Sequence, residues 1–402
     1  MRKIGERFDK EPKSMARAFI GSTPTNPFPF SQSSSTLFHK SSRLSSAGAM
    51  PDHRDPLLPP PQPHPSLEIV DGARGSFLPA LKTLLRPYTA FPVVGWNRHV
   101  ETIFAAFFRS VPDVRLRREC IRTKDDGSVA LDWVSGDDRS LSPDSPLLIL
   151  LPGLTGGSDD SYFYSASFLG DMHEVVAHVG ARYPKANLYA VGWSLGANIL
   201  VRYLGQESDK CPLSGAVSLC NPFNLVIADE DFRKGFNNVY DKALSSALCK
   251  IFKKHALLFE DIGGDFNIPL AANAKTVREF DEGLTRVSFG FKSVDDYYFN
   301  SSSSDSIKDV CRPLLCIQAA NDPIAPNRGI PRKDIKENPN CLLIVTPQGG
   351  HLGWVAGDEA PIGAPWTDTV VIDFLEHLER EASSSSSSSS SNTGSIVHHM
   401  EV

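Results

Sequence analysis

The 402-residue sequence lacks a long apolar run. A membrane-spanning helix needs about 18 or more consecutive apolar residues. The nearest candidate, residues 102–108, is short and has charged neighbours on both sides. This segment can touch a membrane surface but cannot cross the bilayer. The sequence therefore predicts no transmembrane helix and leaves a peripheral membrane contact open.

Cysteine pairs at the spacing of metal ligands are also absent. The seven cysteines are odd in number and scattered, and three of them lie in apolar, strand-like runs. This pattern favours buried reduced thiols over a disulfide framework, and with them a reducing compartment. The cysteines are Cys120, Cys211, Cys220, Cys249, Cys311, Cys316 and Cys341.

An excess of positive charge is missing too. The formal net charge of −6 gives no reason to expect nucleic-acid binding. The contents of 41% hydrophobic and 22% charged residues are those of an ordinary globular protein. The composition indicates no obligate protein partner.

The two ends of the chain show no sustained apolar period. Residues 1–70 are rich in serine and proline, and residues 381–402 include a polyserine run, so both segments are predicted to be disordered. No acidic residue occurs between Met15 and Met50, which is typical of a plastid or mitochondrial transit peptide. A plain low-complexity tail explains the same composition. The expected location is intracellular, in the cytoplasm or a plastid, and not secreted.

Between these ends, short apolar runs alternate with helical periods, which predicts an α/β domain over residues 91–380. The continuous apolar run Leu147–Leu151 predicts a strand buried on both faces. Residues 228–310 combine helical periods with many aromatic side chains, which predicts a helical cap over the strand ends. The other predicted elements are a hairpin at 114–123 and 129–134, strands at 188–191, 215–219, 314–319 and 342–345, and a closing helix at 368–378.

The stretch GWSLG lies between a predicted strand and a predicted helix. Its spacing, Gly192-x-Ser194-x-Gly196, is that of a nucleophile elbow, in which a serine on a strained turn exposes its hydroxyl. Glycine on either side lets the strand and the helix approach closely. A small serine in a tight turn without chemical function is the alternative.

An acyl-transfer serine needs a base and a group that orients the base. Asp322 and His351 each follow a predicted strand, and the chain order Ser194, Asp322, His351 is the order expected of such a triad. Taken alone, Asn-Asp-Pro is a common turn and a histidine after two glycines is an ordinary loop residue. Three features in one order at three strand ends favour catalysis, with His351 as the base.

Stabilisation of the oxyanion requires two backbone N–H groups aimed at the developing charge. The residue after the nucleophile, Leu195, supplies one candidate donor. The turn after the first parallel strand, which begins Pro-Gly-Leu, supplies the other, and we expect it to be Leu154.

Several motifs in order resemble one family. The sequences GLTGGSDDSY, GWSLGAN, CNPFN, FDEGLTRVSFGF, YYFNSSS, AANDPIAP and GGHLGW are similar to those of the embryogenesis-associated α/β-hydrolases of plants, which resemble animal and bacterial hydrolases of medium-chain acyl esters. The resemblance covers residues 91–378. It implies an α/β-hydrolase fold and carboxylesterase or acylglycerol lipase activity on Ser194, Asp322 and His351. No metal or cofactor is implied.

The motif Asn97-Arg98-His99-Val100-Glu101-Thr102 also resembles an entry motif of that group, and we interpret His99 as structural. The aromatic cap agrees with an acyl-ester substrate, so ester hydrolysis is expected to rise from acetyl to octanoyl chains. The rival hypothesis is a catalytically weak or inactive hydrolase-fold protein that binds a hydrophobic ligand.

One departure from the family pattern favours that rival hypothesis. Between residues 157 and 188 there are too few residues for the usual two helices and a strand. The sequence thus predicts a mostly parallel sheet with a helical cap that lacks one helix–strand block after residue 162. We expect that the hairpin is either detached from the sheet or pairs directly, through residues 129–134, with the strand Leu147–Leu151.

Overall fold

The computed structural model describes residues 62–109, 114–134, 142–154, 165–259 and 264–390. The strands within these ranges are β1 (Glu68–Asp71), β2 (Leu116–Arg122), β3 (Ser128–Val134), β4 (Leu147–Leu151), β5 (Leu188–Trp193), β6 (Gly215–Leu219), β7 (Leu314–Ala319) and β8 (Cys341–Thr346). The α-helices are α1 (Arg98–Phe107), α2 (Gly170–Arg182), α3 (Leu195–Glu207), α4 (Leu225–Phe232), α5 (Asn237–Lys253), α6 (Ile268–Ala272), α7 (Val277–Phe280), α8 (Arg286–Ser288), α9 (Val294–Ser301), α10 (Arg332–Glu337) and α11 (Trp366–Ser390). None of the helices in the described ranges has the length and apolarity that a membrane span requires.

Six strands form the central sheet in the order β1-β8-β7-β6-β5-β4. Strands β4 to β8 are parallel, and β1 pairs antiparallel with β8. Alternate residues point to opposite faces: Leu343 belongs to the core that also contains residues of α2, α3 and α10, whereas Leu342 belongs to the core that contains residues of α11 and of the N-terminal segment. Helices on both faces explain why β5 to β8 consist almost entirely of apolar residues.

The folded region is longer than the sequence predicted at both ends. Residues 62–70 were expected to be disordered, but β1 pairs with β8, and the following 3₁₀-helices bury Leu81 and Leu84 completely. Helix α11 continues to Ser390, beyond the expected boundary at residue 380. The expectations for residues 1–61 and 391–402, including the transit peptide, fall outside the described residues.

The predicted hairpin forms but does not join the central sheet. Strands β2 and β3 make a separate two-stranded sheet, which is the first of the two expected arrangements. Side chains hold it against α2: the carboxylate of Glu119 on β2 accepts a hydrogen bond from Arg182 and lies 3.1 Å from Nε2 of His178. Leu131 of β3 also packs on the core beneath α2.

Strand β4 is therefore an edge strand of the sheet. It pairs with β5 alone within the described residues, and all five of its side chains are only partly buried. Its side chains pack on the cores of both faces of the sheet, as predicted, but their burial is incomplete, because no strand in the described residues lies against its outer edge. The described residues between β4 and β5 contain one helix, α2, which makes a strand–helix–strand crossover.

The segment between β6 and β7 forms the expected helical cap. Its described residues contain helices α4 to α9 and a π-helical turn at Asp281–Thr285, and no strand. An aromatic cluster around Phe252 and Phe280 forms the interior of the cap. All seven cysteines are free as predicted, although Cys120 and Cys311 are exposed rather than buried.

Candidate active site

Ser194 lies at the turn between β5 and α3, at the carboxyl end of the sheet. Its backbone has φ 53° and ψ −119°, a strained conformation that non-glycine residues rarely adopt. Close packing maintains this turn: a Cβ on Gly192 would lie 2.6 Å from the carbonyl oxygen of Gly196, and a Cβ on Gly196 would lie 2.3 Å from that of Leu151. Both glycines are thus required for the tight approach of strand, turn and helix, as the spacing predicted.

Asp322 and His351 lie at the ends of the neighbouring strands β7 and β8. The Nδ1 atom of His351 is 2.9 Å from Oδ2 and 3.1 Å from Oδ1 of Asp322. The aspartate side chain is fully buried, and its Oδ1 also accepts hydrogen bonds from the backbone N–H groups of Ile324 and Ala325. The carboxylate is therefore fixed in place and holds the imidazole by one nitrogen, which leaves Nε2 available for chemistry.

The end of β6 connects the Ser194 turn to the His351 loop. The N–H of Ser194 donates to the carbonyl of Leu219 at the end of β6. The next residue, Cys220, accepts a hydrogen bond at Sγ from the N–H of Leu352. Within the described residues the imidazole makes no hydrogen bond to Ser194 Oγ; in ligand-free enzymes such contacts often tighten only when substrate binds.

The two expected oxyanion donors flank Ser194. Leu195 opens helix α3, and Leu154 follows the β4 turn at the limit of a described range. Both residues line the same cavity as Ser194. The turn lies close to the serine, because a Cβ on Gly153 would come within 3.2 Å of Ser194 Cβ. The side chains of Leu154 and Leu195 thus line one cavity with Ser194. That their backbone N–H groups point towards the oxyanion stays a prediction.

A cavity of about 100 Å³ lies beside Ser194, beneath the cap. Helices α4, α5, α7 and α9 supply most of its apolar wall. Six aromatic residues of the cap were considered consistent with acyl binding: Phe232, Phe236, Tyr240, Phe252, Phe259 and Phe291. Of these, Phe232 lines the cavity, whereas Phe236 is 49% exposed on the outside. The wall also contains Asp281, which accepts a hydrogen bond from Tyr298. Burial raises the pKa of Asp281 to about 7, so this side chain carries little negative charge below neutral pH. Asp229 also lines the cavity and forms ion pairs with Arg233 and Arg278.

Helix α1 holds the His351 loop, a function that the sequence analysis missed. The hydroxyl oxygen of Thr102 accepts a hydrogen bond from the N–H of His351 at 2.9 Å. Glu101 is fully buried and accepts from the N–H of Val355, and Arg109 donates to the carbonyls of Leu352 and Gly353. The Asn97–Thr102 motif contained this signal, but its polar residues were not connected with the histidine loop.

His99 belongs to the same helix and contacts the cap rather than the triad. Its Nδ1 lies 3.0 Å from the hydroxyl of Tyr240, and its ring packs on Phe236. Burial and the neighbouring Arg98 lower the pKa of His99, which favours the neutral imidazole. These contacts agree with the expectation of a structural residue.

Cys220 lies next to the Asp322–His351 pair. Ligand-type atoms of these three residues lie within 4.8 Å of one another, which is the spacing of a potential metal site. Burial, and then the charge of Asp322, raise the pKa of the thiol well above its usual value. A protonated thiol is a poor ligand. Cys220, Asp322 and His351 are therefore better explained as an aspartate–histidine pair beside a packed cysteine than as a metal centre.

A strained serine after one parallel strand, with an aspartate–histidine pair after two neighbouring strands, defines a serine-hydrolase type of site on an α/β sheet. The sequence profile of the α/β-hydrolase fold matches residues 163–355. Embryogenesis-associated protein EMB8 of Picea glauca is 58% identical over 376 residues, which covers 84% of this chain and 80% of that protein. The chain therefore belongs to the α/β-hydrolase family, in the group that contains EMB8.

Two further relatives carry names that describe an activity. Phospholipase ABHD3 of Homo sapiens is 31% identical over 306 residues, 67% of this chain and 74% of that protein. Monoacylglycerol lipase of Saccharomyces cerevisiae is 32% identical over 262 residues, 55% of this chain and 58% of that protein.

Each alignment with these relatives is longer than the part of this chain that it includes, so the relatives contain residues that this chain lacks. For EMB8, 84% of 402 residues is about 338 residues against 376 aligned positions, a difference of about 38. For ABHD3, 67% is about 269 residues against 306 positions, a difference of about 37. The fold profile begins to match at residue 163. These three observations support a missing block after residue 162.

Proposed function

We propose that this protein hydrolyses carboxylic esters of medium-chain acyl lipids through an acyl-serine intermediate. The observation that carries the proposal is the geometry of the strained Ser194 turn together with the buried Asp322–His351 pair. In this mechanism His351 removes the proton of Ser194 as the hydroxyl attacks the ester carbonyl, and passes it to the alcohol as the ester bond breaks; water then attacks the acyl-serine and releases the acid. Asp322 orients the imidazole and stabilises its charged form. The backbone N–H groups of Leu154 and Leu195 bind the oxyanion.

Replacement of the nucleophile tests this mechanism. We expect Ser194→Ala to abolish both p-nitrophenyl ester hydrolysis and labelling by a fluorophosphonate probe, because the attacking oxygen is lost. Ser208→Ala is a matched control, since this serine also has a positive φ but lies at the opposite end of helix α3 from Ser194. Labelling that persists in Ser194→Ala would contradict the assignment.

The identity of the substrate rests on the cavity and on the relatives. The relatives named phospholipase and monoacylglycerol lipase both act, by those names, on lipid esters. The apolar wall favours an acyl chain, at about 0.8 kcal/mol for each buried methylene. A cavity of about 150 Å³ holds a benzene ring, so one of about 100 Å³ holds the first few carbons of a chain.

We therefore expect kcat/KM to rise with acyl length from acetyl to octanoyl esters. The increase should be steepest, up to about fourfold per methylene, over the first carbons that the cavity holds. It should be smaller for longer chains, which must displace cap side chains. Hydrolysis of a p-nitrophenyl ester series measures this profile, and a monotonic fall with chain length would contradict the proposal.

The second candidate is a hydrolase-fold protein that binds a hydrophobic ligand without turnover. The specific observation in its favour is the open edge at β4, because this strand leads to the turn with the expected donor Leu154. Fluorophosphonate labelling of the purified chain separates the two candidates. A binding protein with a displaced oxyanion turn should stay unlabelled, whereas the esterase should be labelled at Ser194.

A further inference from the structure

A group of exposed apolar side chains lies beside the candidate active site. We name it the apolar rim, and it consists of Val93, Trp96, Val100, Phe236 and Val239. Trp96 is 67% and Phe236 is 49% exposed, although large apolar residues of this kind are normally buried. The two segments that carry them meet at His99, whose ring centroid is 4.5 Å from that of Phe236.

The apolar rim connects to both parts of the site. Helix α4 ends at Phe232, which lines the cavity with Ser194, and the turn after this helix carries Phe236. On the other side, α1 presents Val100 to solvent and, two residues later, uses Thr102 to hold the N–H of His351. The rim thus lies on α1, on α5 and on the segments directly before them. Helix α5 also borders the cavity, and α1 also positions the expected catalytic base.

The exposed charged side chains in the segments that form the apolar rim are basic, although the neighbouring helix α4 carries the exposed Glu230, which pairs with Arg328. In residues 91–109 and 233–250 every exposed charged side chain is basic, whereas the whole chain has a net charge of −6. The acidic residues of these segments, Glu101 and Asp241, are buried. Two of the basic residues form ion pairs with aspartates of α4. The exposed basic residues are Arg98, Arg233, Lys234, Lys242 and Lys250.

We propose that the apolar rim docks on the surface of an anionic lipid bilayer and holds the cavity against the membrane that contains the ester substrate. Aromatic side chains surrounded by lysine and arginine are the residues that bind at the interface of an anionic membrane. The part of this inference that assigns an ester substrate to the membrane rests on the proposed function, whereas binding to the membrane itself requires no catalysis. A second copy of the chain is the competing occupant, although facing basic patches repel each other.

Vesicle binding tests the apolar rim directly. The full chain carrying Ser194→Ala is sedimented with phosphatidylcholine vesicles that contain or lack phosphatidylserine, so that hydrolysis does not change the membrane. We expect binding that is stronger with phosphatidylserine and weaker at high salt. Trp96→Ala and Phe236→Ala should each lower the partition constant about tenfold or more. The control Phe299→Ala removes a side chain that is 70% exposed on α9, outside the rim, and should leave binding unchanged.

Three outcomes would overturn the docking proposal. The first is that the parent does not bind vesicles, and the second is that Phe299→Ala loses as much binding as the rim variants. The third is that the rim variants bind vesicles as before but change from a dimer to a monomer on size-exclusion chromatography. The last result would assign the apolar rim to a second copy of the chain.

Activity measurements separate this proposal from the proposed function. With Ser194 intact, Trp96→Ala should hydrolyse soluble p-nitrophenyl butyrate at the parental rate but lose activity on an ester embedded in vesicles. If the parent binds vesicles through the rim yet hydrolyses no ester in either form, the proposed function fails and the docking surface stands. If both substrates lose activity equally in Trp96→Ala, the rim acts on the site itself and the docking proposal fails.

Discussion

The Asp322–His351 side and the Leu154 side of the candidate site differ in how many neighbouring strands hold them in place. Asp322 and His351 follow β7 and β8, whose residues are all buried and which each pair with a strand on both sides. The oxyanion turn follows β4, which pairs with one strand and is half-buried along its whole length. The candidate site therefore takes its proposed acid–base pair from the interior of the sheet and its proposed oxyanion turn from the edge.

This difference teaches that the triad motifs do not depend on the segment that the chain lacks. The N–H of Ser194 donates to the carbonyl of Leu219 of the central strand β6, and the His351 loop is held by helix α1. The edge strand has fewer partners, and regions with few buried contacts open first. We therefore infer that the absence of the block weakens binding of the oxyanion more than it weakens proton transfer.

Restoring the missing block should give the largest effect. A family-typical helix–strand block inserted after residue 162 would pair with the free side of β4. Each backbone group that gains a partner is worth on the order of 1–3 kcal/mol where it is otherwise buried and unpaired, against a total stability of roughly 5–15 kcal/mol for a domain. We expect a higher melting temperature and a faster ester hydrolysis than in the present chain.

The matched control for this experiment is an insert of equal length and scrambled sequence at the same position. It should not raise the melting temperature, because it cannot pair with β4. Equal melting temperatures and equal esterase rates in the present chain and the restored chain would show that the edge at β4 costs nothing.

A pair of leucine truncations sharpens the comparison between the two sides. Leu342 of β8 is fully buried, whereas Leu148 of β4 is only partly buried, and both pack on the same face of the sheet. Leu342→Ala should lower the free energy of unfolding by about 2–5 kcal/mol. Leu148→Ala should cost less than half as much, because the edge can relax and water already reaches it. Urea unfolding measures both, and equal losses would mean that β4 is as tightly held as β8.

The elements that could be predicted from the sequence are those whose signals are local. The spacing of Gly192 and Gly196 predicted the strained turn. The apolar run before each of Ser194, Asp322 and His351 predicted that the residue lies at a strand end. Strand β1 was missed because it lies in a proline-rich segment and is recruited by long-range pairing with β8. A four-residue edge strand carries too weak an alternation to recognise.

The supports of the site were missed for a similar reason. Thr102 and His351 are 249 residues apart in the chain, and a threonine in a helix has no local feature that identifies its distant partner. The partial burial of β4 was also unpredictable from its own residues, because LLILL is equally compatible with a central strand. Only the shortness of the segment after residue 157 indicated an edge.

The buried carboxyl of Glu101 gives the smallest predicted effect, on the well-supported side of the site. Its Oε1 accepts a hydrogen bond from the N–H of Val355, and burial raises its pKa to about 7 from an ordinary value of 4.5. Between these two pH values the folded chain keeps a proton that the unfolded chain has released. The stability that this group contributes is therefore present below about pH 4.5, is lost as the pH rises towards 7, and changes no further above that.

Glu101→Gln removes this titration and keeps an oxygen that can accept from Val355. We expect the free energy of unfolding of the variant, relative to the parent, to increase from pH 4.5 to pH 7 and then to level off, by an amount on the order of the 1.4 kcal/mol that corresponds to each unit of pKa shift. Urea unfolding across this range measures the difference. Glu337→Gln, at a side chain that is 65% exposed on α10, is the control for the chemical change itself. A flat profile for Glu101→Gln would mean that this carboxyl ionises as readily in the folded chain as in the unfolded chain, and that helix α1 holds the His351 loop without any pH dependence from Glu101.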